Sequence, residues 1–273
     1  MKPNPRVVGI IQARLGSSRL PRKVLADLQG EPMIGRILER ISLARCIQAT
    51  GIATTTESSD DDLVEYSQRL GIGVYRGSVD DLAARLYGAA HAFGAEVIVR
   101  IWGDCPCADP AVIDLAVERL LVEDLDYISN SITIDATNSI VLTRTYPYGL
   151  DLEVYQTAVL GRLCATTIDP FYREFPFEWV KAHSAELRVG TMPLTENWSH
   201  IYLTVDYPED LALIREIYQG LYQPGIAFGW REVVDWLKRQ PELIDRVTNL
   251  IRNPEYYQKL NARKSGSQEP FLI

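Results

Sequence analysis

The chain has 273 residues, 47% hydrophobic and 23% charged, which is enough to close one sizeable core with a small appendage. A net charge of −8 argues against general binding to nucleic acid or to a membrane surface, since both need a basic face. No run of about eighteen apolar residues occurs, and the N-terminal apolar stretch lies too close to charge for a signal peptide or a membrane span, so a cytoplasmic protein is expected.

Cys46, Cys105, Cys107 and Cys164 lack CxxC spacing and only three histidines are present, so neither a structural zinc site nor a disulfide framework is supported.

From residue 6 to about 130 short β-branched runs alternate with helix-period segments, the pattern of βαβ units and a mostly parallel sheet covered on both faces. The predicted strands are VVGIIQA (7–13), ATGIATT (49–55), GVYRG (73–77), EVIVRIWG (96–103) and DYISN (126–130). A helix from Asp81 would turn Leu82, Leu86, Ala89, Ala90 and Phe93 to one face, and another from Pro110, capped by Asp109, would do the same with Val112, Leu115, Ala116 and Leu120. Residues 131–205 read as an insertion on the acceptor side that lids the sheet, with LDLEVYQ and LRVGTMPL as strands. Pro208 opens a helix with an acidic first turn. Beyond the main domain, residues 1–224, the segment 225–273 reads as a helical extension: two amphipathic helices, then a polar end, KLNARKSGSQEP, expected to be mobile. In the first of these helices Trp230, Val233, Val234 and Leu237 would cover the core or form a dimer seam.

The loop after the first strand, ARLGSSRLPRK, concentrates Arg14, Arg19, Arg22 and Lys23 in an otherwise acidic protein. In a doubly wound sheet this loop is a usual place for phosphate. Gly16 permits close approach of backbone to ligand, Ser17 and Ser18 offer hydroxyls and amides, and Arg14, Arg19 and Lys23 can neutralise a triphosphate. Neither a Walker loop nor GxGxxG is present. Taken alone, a basic loop is more often a solvated face, and its position shifts that balance modestly.

The run IIQARLGSSRLPRKVLADLQGEPMIGRILER, followed in order by RGSVDDLAAR, VRIWGDCPCADP, YGLDLEV and IYLTVDYPEDLALIREIY, resembles the nucleotide-sugar cytidylyltransferases. That group includes CMP-KDO synthetase and acylneuraminate cytidylyltransferase, and the likeness is strongest to its SpsF-like, spore-coat polysaccharide biosynthesis branch. The resemblance covers residues 6 to about 222. It implies an α/β fold, a three-layer mostly parallel sheet of nucleotide-diphospho-sugar transferase (GT-A-like Rossmann) type. It also implies a Mg²⁺-dependent reaction of CTP with a sugar, sugar acid or related acceptor to give a CMP conjugate and pyrophosphate, by a protein that forms a homodimer.

By the same resemblance Arg14, Ser17, Arg19 and Lys23 match the triphosphate loop. Arg76, Gly77, Ser78 and Arg85 fall where the family contacts base and ribose, Gly103 is grouped with the nucleotide contacts, and Asp104 and Asp206 match the two magnesium-binding aspartates. Such chemistry needs hard oxygen ligands for Mg²⁺ and cations around a phosphoryl group, which two aspartates at strand ends and a basic loop would supply. Taken singly, Asp104 could equally be a turn former before Pro106 and Asp206 a helix cap before Pro208.

Period-two spacing places Asp151 and Glu153 on one face of a strand, with Tyr148 in the turn ahead. They are candidates to grip the acceptor, and a solvent-facing strand paired with lysines is the alternative. His183 and His200 are expected to be structural, with His200 also a candidate to support Asp206 from behind. Two departures from the family pattern concern the acceptor: Trp102, and the run DPFYREFPFEW with Phe175, Pro176 and Phe177. The rival readings are a glycosyltransferase of related fold, which would usually bind metal through a DxD motif on one strand end, where the nearest run here, WGDCPCAD, lacks it, and a non-catalytic nucleotide-binding protein.

Overall fold

A computed structural model describes residues 5–137, 139–250 and 252–265. The frame is a seven-stranded sheet of β1 (Val7–Gln12), β2 (Ala49–Thr55), β3 (Gly73–Gly77), β4 (Val97–Trp102), β5 (Tyr127–Ser129), β6 (Glu153–Gln156) and β7 (Val189–Thr191). The strand order is β7-β5-β6-β4-β1-β2-β3. All neighbours are parallel except β6, which runs antiparallel to both β4 and β5. The central strands are continuous apolar runs because helices cover both their faces; Val8, Ile10, Ile11, Ile98 and Val99 are fully buried.

The helices are α1 (Met33–Ile41), α2 (Asp61–Arg69), α3 (Leu82–Ala92), α4 (Pro110–Val122), α5 (Thr157–Thr166), α6 (Pro170–Glu174), α7 (Pro176–Ala182), α8 (Pro208–Leu221), α9 (Trp230–Leu237), α10 (Pro241–Thr248) and α11 (Pro254–Lys264). One core layer joins the sheet to α1, α4, α8, α9 and α10 through residues such as Ile34, Ile113, Ile214 and Val233. The layer on the other face joins α3, α5 and α7 through Leu86, Leu160 and Trp179.

The cap predicted at Asp109 is present, and Asp81 makes a second one. Asp81 accepts from the Ala84 amide at 2.8 Å, and Asp109 from the Ala111 amide at 2.9 Å, each satisfying an orphan donor of the first turn. On α4 the buried stripe is Val112, Ile113, Ala116, Val117 and Leu120, while Leu115 is 46% exposed. The packed face is therefore centred between 113 and 116, and Leu115 lies off it.

Two expectations change. The segment 131–205 does more than lid the sheet: it inserts β6 beside β4 and adds β7 at the edge. Among the described residues the extension carries three helices, α9, α10 and α11, and residues 259–264 of the polar end belong to α11; residues 266–273 lie outside the described ones. Of the two roles expected for Trp230, Val233, Val234 and Leu237, the structure shows the first: all four are buried in this chain's own core.

Candidate active site

The carboxyl ends of β1 and β4 open into a cavity of about 760 Å³, within the range of small-ligand sites. Its floor follows from the strand register, since Gln12 on β1 is paired with Trp102 on β4 and Glu153 on β6 with Arg100. Gly103 lets the two strands meet at the rim. A Cβ there would stand 2.7 Å from the Ala13 Cβ and 2.9 Å from the Gln12 carbonyl oxygen, so this position accepts no side chain.

The basic loop is held from beneath. Asp60, 1% exposed, accepts from the Leu15 amide at 2.7 Å and from Thr54 at 2.9 Å, and also bonds Thr55. Burial works against its charge, but these donors hold its carboxyl below the usual range. Arg14, Gly16, Ser17, Ser18, Arg19 and Lys23 line the cavity. Arg22, in a left-handed conformation with φ 61°, turns away to Asp62. A Cβ on Gly16 would meet nothing within 4 Å, so no contact within the chain demands glycine there.

Asp104 follows β4, and Asp206 lies 102 positions later along the chain, just ahead of α8. They meet because the Val205 amide donates to the Asp104 carbonyl at 2.8 Å. The run before Asp206 is no sheet strand, contrary to expectation; an isolated bridge pairs Tyr148 with Tyr202. Gly149, at φ 97°, makes that crossing possible, since a Cβ would lie 2.5 Å from the Thr204 nitrogen.

Lys23 Nζ donates to Asp104 at 2.9 Å and to Asp206 at 2.9 Å, and Arg19 donates to Asp206 at 2.7 Å. Burial alone would push the Lys23 ammonium down, but the two carboxylates outweigh it and raise its pKa. Asp206 is the mirror case, since burial opposes its charge while Lys23 and Arg19 hold its carboxyl below the ordinary value. Asp206 is not the cap of α8. The N-cap is Tyr207, in a capping box with Asp210, whose Oδ2 accepts from the Asp206 and Tyr207 amides at 2.9 Å each.

Arg85 is buried and faces the cavity. Its Nη1 donates to the Ser78 and Val79 carbonyls, its Nε has no partner, and no carboxylate is in hydrogen-bond reach of it among the described residues. Burial, reinforced by the fields of Arg14 and Arg100, pushes its pKa down to about 10. The guanidinium stays charged at neutral pH.

Arg76, Gly77 and Ser78 are not brought to the cavity. Arg76 spans from β3 to the Thr55 and Glu57 carbonyls and to Asp61 at 2.7 Å, and the Ser78 hydroxyl accepts from the Asp80 and Asp81 amides at 3.2 Å. These residues shape the turn into α3 and so aim Arg85.

On the far side Tyr148, Asp151 and Glu153 do line the cavity, each tied to an arginine rather than a lysine. Glu153 accepts from Arg100 at 2.6 Å and from the Tyr155 hydroxyl at 2.7 Å, all within the core. Asp151 accepts from Arg144 Nε at 2.9 Å, and Arg144 lies 4.5 Å from the centre of the Tyr148 ring. Trp102 carries Arg100 over its face at 4.3 Å, which sets the floor that this residue was expected to alter. Phe175 and Phe177 of the divergent run are on the wall.

His183 stacks on Trp179 with ring centroids 4.3 Å apart. His200 is exposed, sits beside Trp198 and does not line the cavity, so it does not support Asp206.

Arg100, Arg144, Tyr256, Tyr257 and Lys259 were not anticipated at the site. Arg100 and Arg144 meet their carboxylates, Glu153 and Asp151, 53 and 7 positions away along the chain, where only the fold brings the charges together. The others lie on α11, in sequence with no motif to mark it.

Comparison with known proteins follows the same outline. A family model described as cytidylyltransferase matches residues 8–220. The spore coat polysaccharide biosynthesis protein SpsF of Bacillus subtilis is 28% identical over 246 residues, covering 86% of this chain and 95% of its own. The 3-deoxy-manno-octulosonate cytidylyltransferase of Solibacter usitatus is 29% identical over 257 residues, 82% and 99% of the two chains. A cytidylyltransferase structure from Leptospira borgpetersenii superposes with a TM-score of 0.80 at 27% identity, over 91% of this chain and 99% of that one.

Proposed function

The chain belongs to the cytidylyltransferase family, and on that premise we propose that it transfers CMP from CTP to a hydroxyl of a sugar, sugar acid or related acceptor for glycan synthesis, releasing pyrophosphate. The observation that carries this reading is the meeting of Asp104 and Asp206 at Lys23 and Arg19 on the loop side of the cavity.

The donor set fits Mg²⁺, which commonly takes one or two carboxylates and fills its remaining positions with phosphate oxygens and water. Among the described residues no group of three or more histidine, cysteine or acidic side chains converges, so a fully protein-made cage is not on offer. Asp104 and Asp206 would hold the ion. Bound there, it would offset negative charge on the phosphate oxygens as the bond to pyrophosphate breaks.

The chain's own groups do the rest. Arg14, Arg19 and Lys23 bind the triphosphate, Lys23 as a point charge and the arginines through paired donors. Arg85, with no anion of its own, faces the nucleotide from beneath. An acceptor hydroxyl oxygen attacks the α-phosphorus, a P–O bond forms, the bond to the departing pyrophosphate breaks and the hydroxyl proton is released. Catalysis of such a step is mostly positioning and charge stabilisation. Asp151 and Glu153, both fixed by arginines, orient the acceptor's hydroxyls. Among the described residues no helix is long and apolar enough to cross a membrane; reliance on a nucleoside triphosphate supports action in the cytoplasm, and a homodimer belongs to the same reading.

Thermal shift with ATP, CTP, GTP and UTP in MgCl₂ tests the nucleotide, because selective binding raises Tm by mass action. CTP alone should stabilise. Pyrophosphate release over a panel of sugar acids, amino sugars and polyols then identifies the acceptor, and equal shifts with all four triphosphates would refute the assignment to CTP.

A further inference from the structure

The family match ends at residue 220, yet a segment beyond it reaches the site. Arg252 donates through both terminal nitrogens to Asp210, at 2.7 Å each, and the pair is buried, with side chains 8% and 1% exposed. The same Asp210 Oδ2 accepts from the Asp206 amide. Arg252 also lies 4.5 Å from the Tyr202 ring centre, and Asn253, at φ 47°, donates to the Tyr148 hydroxyl at 2.6 Å. From this anchor α11 runs along α6 and α7, with Tyr256 bonded to Glu178 at 2.6 Å and Arg263 to Asp169 at 2.7 Å.

We propose that Arg252 is a positioning residue for Asp206: it holds the Asp210 carboxylate that in turn holds the Asp206 backbone, making the C-terminal segment part of the nucleotide and metal machinery. Arg252 fixes both oxygens of the Asp210 carboxylate, and without it that carboxylate loses its two side-chain donors and is free to turn. Such a turn loosens its grip on the backbone that carries Asp206. Mg²⁺ tolerates little departure from octahedral geometry, and groups that orient a metal ligand typically change metal affinity by about 10- to 100-fold when removed.

The inference rests on the reading that Asp206 faces Mg²⁺ in a CTP complex, and its test needs no acceptor. In the full chain, CTP binding is titrated calorimetrically over a range of MgCl₂ and again in EDTA. Arg252→Gln should raise the MgCl₂ concentration for half-maximal CTP binding by about tenfold, while CTP affinity in EDTA stays within about twofold. Arg252→Lys, which keeps the charge but not the paired donors, should fall between; it carries the test if the Gln variant does not fold. Arg263→Ala loosens the same helix without touching Asp210 and should leave the MgCl₂ midpoint unmoved. An unchanged midpoint in Arg252→Gln, or equal loss of binding with and without metal, overturns the inference and leaves Arg252 a packing residue. A parent chain whose CTP binding ignores MgCl₂ overturns instead the reading beneath it, which is distinguishable because parent and variant then behave alike.

Discussion

Lys23 Nζ lies 2.9 Å from an oxygen of Asp206, across 183 residues of chain. The contact is nearly dry, with side-chain exposures of 10% and 5%, so each charge depends on the other. Asp104 shares the same ammonium. Two like charges at one point are tolerated because Lys23 and Arg19 lie between and beside them.

Replacing Lys23 by Ala removes the cation that faces both carboxylates. Charge-assisted hydrogen bonds contribute about 1.5–3 kcal/mol, so CTP should bind on the order of 10- to 100-fold more weakly, with cytidine little affected. Calorimetric titration of the two ligands checks this, and equal losses for both would argue against phosphate contact.

The pH dependence of stability has a defined sign. Asp206 has a lowered pKa, so its stabilisation is present above the ordinary carboxylate value of 3.8 and is lost as pH falls through the lower folded value. Lys23 has a raised pKa, so its stabilisation is present below the ordinary 10.5 and fades as pH rises through the higher folded value. Urea midpoints measured from pH 7 down to 3 should drop less steeply in Asp206→Asn than in the parent chain.

Arg85 stands at the opposite extreme, a buried cation with no carboxylate in hydrogen-bond reach among the described residues. Its lowered pKa means that folding works against its charge at neutral pH. In Arg85→Met the hydrogen bonds lost to Ser78 and Val79 are offset by relief of that charge, leaving unfolding free energy within about 1 kcal/mol of the parent. CTP affinity should still fall by about tenfold or more. Urea unfolding and CTP titration on one preparation separate the two effects.

Glu153 and Arg100 form a buried pair at 2.6 Å. Glu153→Gln leaves the guanidinium uncompensated and should cost about 3 kcal/mol in urea unfolding. Replacing both partners by apolar residues, Arg100→Met with Glu153→Leu, should recover most of that loss. Recovery in stability without recovery of turnover would assign the pair to substrate handling.

Local rules explain much of what could be read in advance. Alternating apolar runs located β1 through β5 to within a residue or so, and the aspartate and proline at residues 109 and 110 marked the start of α4. The basic loop was legible because charge after an apolar strand is locally improbable. Arg76, Gly77 and Ser78 illustrate the limit, since neighbours of Arg85 in sequence point into the turn instead of the cavity. The ties of Arg100 to Glu153 and of Arg252 to Asp210 span 53 and 42 positions, and no spacing rule foretells them.

By itself the amino-acid order determined the parallel frame and the basic loop, because periodicity, capping and the charge of a short loop act over a few residues; the two aspartates were marked only by the resemblance. Tertiary structure alone decided that the Val205 amide would dock on the Asp104 carbonyl and bring both carboxylates to one ammonium. It also decided that β6 would enter the sheet reversed and that α11 would wall the cavity. These outcomes depend on register and on burial of charges supplied by distant segments, and their energies exist only once the whole core has closed.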